Sequence, residues 1–275
     1  MAPITRADFE RHIKRSSVGE SYAVLGEYTL YSVFQPIYTQ QLKLHGFEAL
    51  LRIKDAQGNW IRPDLFLSNP DFNEATRLSA EMLSRAIHLR NFSLFYPHLP
   101  CKIFLNVIPA ALISYQRYVN SITNSETHKL MRIRLEELGI KLDDVVLEIV
   151  EQDCNENEEL ARLISGIKDR GYLLAIDDFG AGSSDTNRVH LIEPDMIKID
   201  RSLLLTYEAG NKQPLLKAIE LAVTTQSKVL IEGIETQQQL DIIELLPIDF
   251  YQGYQLGKPA SIFHWLEEFN AHFDN

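Results

Sequence analysis

Leu173-Leu174-Ala175-Ile176-Asp177-Asp178-Phe179-Gly180-Ala181-Gly182 is a short apolar strand that delivers two adjacent carboxylates into a loop rich in glycine. A sheet fixes the carboxylate at a strand's last residue. The next residue, released from the pleat, can turn its own oxygens toward the same or a neighbouring cation. Taken alone, such a pair more often caps the helix that follows.

The pair is not alone. Phe47-Glu48-Ala49-Leu50-Leu51-Arg52, Ile103-Phe104-Leu105-Asn106, Val145-Val146-Leu147-Glu148, Met196-Ile197-Lys198-Ile199-Asp200, Val229-Leu230-Ile231-Glu232 and Phe250-Tyr251-Gln252 each place a polar group in or just after an apolar run. Capping does not account for so many. In a parallel barrel every strand's C-terminal end opens on one face, where groups from different strands converge. Oxygen donors from Glu48, Asn106, Glu148, Asp177 and Asp178, with no Cys or His among them, suit a hard cation such as Mg²⁺ or Mn²⁺ better than zinc.

Eight strand candidates follow: 28–36, 42–53, 102–107, 145–150, 172–178, 195–200, 228–232 and 249–253. Helical periodicity separates most of them, at Leu78, Met82, Ala86 and Leu89, at Met131, Leu135 and Leu138, at Leu160, Leu163, Ile164 and Ile167, and at Leu215, Ile219 and Ala222. Gly139 and Gly171 fall where helices should stop. The economical closure is an α/β fold, a TIM-like (β/α)8 barrel. Only Ile37 to Gln41 joins the first two strands, too short for a crossover, so the first strand is antiparallel to the second. Residues 1–26 read as a helical N-terminal extension, with Arg11, Lys14 and Arg15 on the solvated side of a helix that buries Phe9 and Ile13. Residues 27–275 form the barrel domain.

The 275 residues carry 27 Lys and Arg against 38 Asp and Glu, a formal net charge of −11. That balance argues against a polymeric nucleic acid as main partner, since phosphate-backbone binding depends on clustered cations. Small anions are compatible if metals invert the local field. Cys101 and Cys154, the two cysteines, have no metal-ligand spacing and read as reduced thiols, which points to the cytoplasm. No apolar run approaches the roughly 18 residues of a transmembrane segment. His45, His88 and His190 read as core or surface residues, and Trp60 and Trp265 as packing, all outside the chemistry.

The ordered set Glu48-Ala49-Leu50, Leu147-Glu148-Ile149-Val150-Glu151, Asp177-Asp178-Phe179-Gly180, Lys198-Ile199-Asp200, Glu232-Gly233-Ile234-Glu235-Thr236 and Gln252-Gly253-Tyr254 with Gly257-Lys258-Pro259 resembles the EAL-domain cyclic di-GMP phosphodiesterases of bacteria. The resemblance spans about residues 28–262. It implies hydrolysis of cyclic di-GMP to linear pGpG with two Mg²⁺ or Mn²⁺ ions. Glu48, Asn106, Glu148 and Asp177 would hold one ion, and Asp177, Asp178 and Glu232 the second. Lys198 and Glu232 would orient or deprotonate the attacking water beside Gln252. Arg52 would contact phosphate, whereas Gln35 and Pro259 would line the substrate. Glu151 would brace the loop that begins at Asp178. Asp200 either touches substrate or caps the next helix, and Glu235 either supports the site or pairs with a nearby cation.

One loop departs from the family's pattern. Active members commonly read Asp-Phe-Gly-Thr-Gly-Tyr-Ser-Ser-Leu, whereas this chain has Ala181 at the Thr and Ser183 at the aromatic position. The family associates that loop with the second metal and with communication across a homodimer. The rival expectation is a catalytically impaired EAL domain acting as a cyclic di-GMP receptor or protein-binding module. Such domains usually lack metal ligands, and every inferred ligand is present here.

Overall fold

The computed structural model describes residues 6–108, 113, 117, 127–149, 157–181 and 186–273. Eleven strands form one sheet among them: β1 (Ile13–Arg15), β2 (Ser21–Leu25), β3 (Tyr28–Thr39), β4 (Leu44–Lys54), β5 (Trp60–Ile61), β6 (Lys102–Val107), β7 (Val145–Ile149), β8 (Leu173–Phe179), β9 (Met196–Ile199), β10 (Lys228–Ile231) and β11 (Phe250–Tyr251). From β4 through β6, β7, β8, β9, β10 and β11 every neighbour is parallel. β3 closes the circle by pairing antiparallel with both β11 and β4. The result is an eight-stranded barrel with one inverted strand, as the short turn over residues 40–43 between β3 and β4 requires.

β3 runs three residues past its expected end and includes Pro36. Its outer edge meets Ala260 at Phe34 and β11 at Tyr38. Pro36, with no N–H to donate, falls in the gap between those two pairings. The last strand is shorter than expected, only Phe250–Tyr251.

The leading segment differs more. The helix is confined to Arg6–His12, and Ile13–Arg15 and Ser21–Leu25 are strands that continue the sheet from β3. Lys14 and Arg15 therefore lie on a strand rather than on a helix face. Ser21 and Ala23 point to the buried side, where Asn91 clamps β2 by accepting from Ser21 N at 2.7 Å and donating to Ser21 O at 2.9 Å. The helix Glu74–Phe95 covers this side, packing Ala80, Leu83 and Ile87 against Ile13, Ala23, Leu30 and Ile53.

Gly139 and Gly171 adopt φ of +68° and +92° just past the helices Thr127–Leu138 and Asn157–Lys168, the left-handed turn that ends each. No helix of the described residues is long and apolar enough to cross a membrane.

Inside the barrel, two layers decide what the molecule can do. Ile37, Phe104, Val146, Ala175, Met196 and Leu230, with Phe250 against them, form an apolar floor. Two residues along the same strands, on the same face, stand Gln35, Asn106, Glu148, Asp177, Lys198, Glu232 and Gln252. The floor excludes water from below and fixes the polar layer at the mouth. Phe104 is fully buried, and its truncation to Ala costs about 3–5 kcal/mol.

Candidate active site

Glu48, Glu148, Asp177 and Glu232 converge on the ammonium of Lys198, which is 1% exposed. Lys198 Nζ lies 2.6 Å from Glu148 Oε1, 2.6 Å from Asp177 Oδ1, 2.7 Å from Glu232 Oε1 and 3.5 Å from Glu48 Oε2. Burial alone would lower the lysine's pKa, but these carboxylates outweigh it and hold Lys198 well above its ordinary value. Burial, with Lys198 opposing it and Glu48 and Asp177 adding to it, holds the carboxyls of Glu148 and Glu232 well above the usual carboxylate range.

One ammonium does not satisfy four carboxylates. Both oxygens of Glu148 and Oε1 of Glu232 are buried without a properly directed hydrogen bond, even where Lys198 is close. Such oxygens are costly to bury unless a proton or a cation takes up their charge. Among the described residues two groups could take a cation: Glu48, Glu148 and Asp177 offer oxygens all within 4.8 Å of one another, and so do Asp177, Asp178 and Glu232. Asp177 belongs to both. All-oxygen donor sets of this kind suit a hard divalent ion, so the residues fit the metal that the sequence calls for.

Glu48 is braced on both oxygens. Asn106 Nδ2 donates to Oε1 at 3.2 Å and Gln252 Nε2 to Oε2 at 2.7 Å. Gln252 is held in turn by a crossing of backbones in which Ile234 N donates to Gln252 O at 3.1 Å. A Cβ on Gly253 would stand 2.0 Å from Ile234 O, so the crossing requires glycine.

Asp178 has a left-handed backbone, φ +54°, and Gly180 follows at φ +104°. The turn closes with Ala181 N donating to Asp178 O at 3.1 Å. It swings the Asp178 carboxyl back beside Asp177, where desolvation and then Asp177 raise it to about 6. Arg52 stands higher on β4, half-buried, its Nη1 donating to Leu51 O at 2.9 Å. Burial lowers its pKa, while Tyr254 and Glu48 oppose that shift. Gln35 Nε2 donates to Gly257 O at 3.2 Å, fastening β3 to the Gly257-Lys258-Pro259 turn.

The two open alternatives resolve differently. Asp200 caps the helix Arg201–Glu208 by accepting from Ser202 N at 2.9 Å, and its charge also reaches Asp178. Glu235 pairs with Arg201 and lies outside both carboxylate groups. Glu151, Cys154 and Ser183 fall outside the described residues. Trp265 is buried, its Nε1 donating to Phe34 O at 2.7 Å, but Trp60, expected to pack inside, is 62% exposed. Tyr254 had no part in the sequence assignment, although the Gln252-Gly253-Tyr254 motif pointed at it.

The family model described as "EAL domain" matches residues 23–259. Among curated proteins, the probable cyclic di-GMP phosphodiesterase PdeB of Escherichia coli (strain K12) is 28% identical over 239 residues, covering 86% of this chain and 44% of that protein. The cyclic di-GMP phosphodiesterase NbdA of Pseudomonas aeruginosa is 27% identical over 242 residues, covering 86% of this chain and 29% of that protein. The chain thus spans less than half the length of these relatives. Among solved structures, the Bacillus subtilis YkuI protein, which has an EAL domain and is in complex with substrate c-di-GMP and calcium, superposes with a TM-score of 0.71 at 23% identity, over 89% of this chain and 62% of that one. The EAL enzyme Bd1971 in its cAMP-bound form gives a TM-score of 0.72 at 22% identity, over 88% of this chain and 66% of that one. At such identities the superpositions establish the fold.

Proposed function

The chain belongs to the EAL domain family, and from that premise we propose that it is a metal-dependent phosphodiesterase that opens cyclic di-GMP to linear pGpG. The observation that carries this is the pair of carboxylate groups sharing Asp177 at the mouth of a closed barrel. The names of the curated relatives supply the substrate.

In this proposal Glu48, Asn106, Glu148 and Asp177 hold one Mg²⁺ or Mn²⁺ ion, and Asp177, Asp178 and Glu232 hold the second. When bound, the ions acidify a water and neutralise the phosphodiester. Glu232 takes the proton of the attacking water while Lys198, 2.7 Å from that carboxylate, orients the water. The water oxygen bonds to phosphorus and the bond to the ribose 3′ oxygen breaks, leaving a 3′ hydroxyl and a 5′ phosphate. Arg52 faces the phosphate with a planar fork of donors. Gln35 and Pro259 line the substrate, Gln252 steadies Glu48 beside it and Asp200 caps the helix next to Asp178, whereas Glu235, paired with Arg201, and Glu151 support the loops.

The test is to incubate purified protein with cyclic di-GMP and Mn²⁺ and to separate the products by chromatography. Accumulation of pGpG supports the assignment. Tight binding with no product over hours would leave the receptor reading in its place.

A further inference from the structure

The two strands that carry Gln35 and Glu48 continue beyond the barrel mouth. Side chains repeat every second residue, so Val33, Tyr31 and Thr29 share Gln35's face, and Leu50, Arg52 and Lys54 share Glu48's. In register, Tyr31 pairs with Arg52, Lys54 with Trp60, and Lys14 with Tyr22, which puts all six on one face. The opposite face is sealed by the helix Glu74–Phe95.

This upper face is aromatic and cationic. Tyr22 and Tyr31 stack with ring centroids 5.8 Å apart, and Trp60 meets Tyr31 edge-on at 6.0 Å. Lys54 Nζ sits 4.4 Å from the Trp60 ring centroid and 5.8 Å from that of Tyr31. A protein of net charge −11 thus gathers Lys14, Arg52 and Lys54 around three rings beside its phosphodiester site. Arg52 links the two regions by register, four residues beyond Glu48 on the same strand and paired with Tyr31. Tyr31 and Arg52 stand four residues beyond Glu48, roughly 13 Å of extended strand, within the reach of one nucleotide laid along it.

We propose that this face is a specificity platform for the substrate, on which Tyr31 and Trp60 stack a nucleobase of the dinucleotide while Lys54 and Arg52 face its phosphate. The inference rests on the phosphodiesterase reading and assigns it a substrate-selecting surface. Aromatic rings suit a base because every base has a π-face, and the adjacent cations suit the charge that comes with it.

The chain has two tryptophans. Trp265 is 5% exposed, so a ligand on the platform changes the emission of Trp60. The experiment titrates cyclic di-GMP into the full chain in calcium, reads tryptophan fluorescence, and then compares KM and kcat in Mn²⁺ for wild type, Trp60→Ala and Trp60→Phe. Quenching in the wild type, a KM raised about tenfold in Trp60→Ala with the loss falling on KM more than on kcat, and recovery in Trp60→Phe are expected. Wild-type pGpG production with an unchanged KM in Trp60→Ala overturns the platform and leaves the phosphodiesterase standing. Quenching without any pGpG keeps the platform and removes the hydrolytic reading. Emission that ignores the nucleotide but changes with protein concentration assigns the face to a second copy of the chain, and so overturns the platform too.

Discussion

Lys198 Nζ lies 2.6 Å from Oδ1 of Asp177, the carboxylate that belongs to both potential cation groups. The ammonium therefore competes for the ligand that two metal ions would share. Replacing Lys198 by Met removes that competitor together with the group proposed to orient the water. Turnover should fall by about 10² or more, while the Mn²⁺ affinity measured by calorimetry holds or tightens. A variant that loses metal binding in step with activity would show that Lys198 acts chiefly by keeping the carboxylates from repelling one another.

Glu48 accepts from two amides, Asn106 and Gln252, so the loss of the carboxylate and the loss of one brace should rank in effect. Glu48→Ala removes a ligand and should abolish pGpG formation. Gln252→Ala only frees one oxygen of Glu48, so it should cost about tenfold, a loss comparable to that of an outer-shell partner. Excess EDTA should stop wild-type turnover and Mn²⁺ should restore it. Calcium should not, because its longer, looser coordination misplaces the water. Equal losses in the two variants would mean that Gln252 touches the substrate directly.

Much of this site was legible in the sequence because a polar residue at the end of an apolar run breaks an otherwise monotonous strand. Glu148 after Val145-Val146-Leu147 and Asp177 after Leu174-Ala175-Ile176 are unmistakable on that ground. The apolar floor and polar mouth follow from the same period of two. What stayed hidden depends on partners distant in the chain. Ser21–Leu25 is too short to declare itself a strand and becomes one by lying on the edge of β3. Trp60 sits on a strand of two residues, where alternation says nothing about which face is buried. Asp200 looked like a cap or a ligand, and only the bond from Ser202 N shows that it caps.

Gly180 should tolerate no side chain. Its φ of +104° is strained for any other residue, and a Cβ there would lie 2.6 Å from Leu203 Cδ1 and 2.7 Å from Leu203 Cγ. Gly180→Ala should destabilise the protein by about 1–3 kcal/mol and pull Asp178 away from Asp177, raising the Mn²⁺ concentration for half-maximal activity. Adding Leu203→Ala relieves the collision but not the backbone strain, so stability in denaturant titrations should recover only in part. Full recovery would locate the whole cost in packing.

Acid stability should depend on His88. The ring is buried against Ser32, its Nδ1 2.7 Å from Ser32 Oγ, and burial, reinforced by Arg85 and Arg52, pushes its pKa down to about 3. His45, stacked on Phe250 with ring centroids 4.0 Å apart, is lowered to about 4, chiefly by burial. For a histidine the unfolded chain, with a pKa near 6.5, binds the proton that the folded chain refuses. Each ring's contribution is therefore complete above pH 6.5 and is lost as pH falls toward the folded value, at about 1.4 kcal/mol per unit. His88→Gln keeps a polar partner for Ser32 but cannot be protonated. Between pH 6.5 and 4 its unfolding free energy, measured in urea, should fall less steeply than that of the wild type, by about one proton's worth of slope. Parallel slopes would show that the His88 ring takes up its proton within the folded protein.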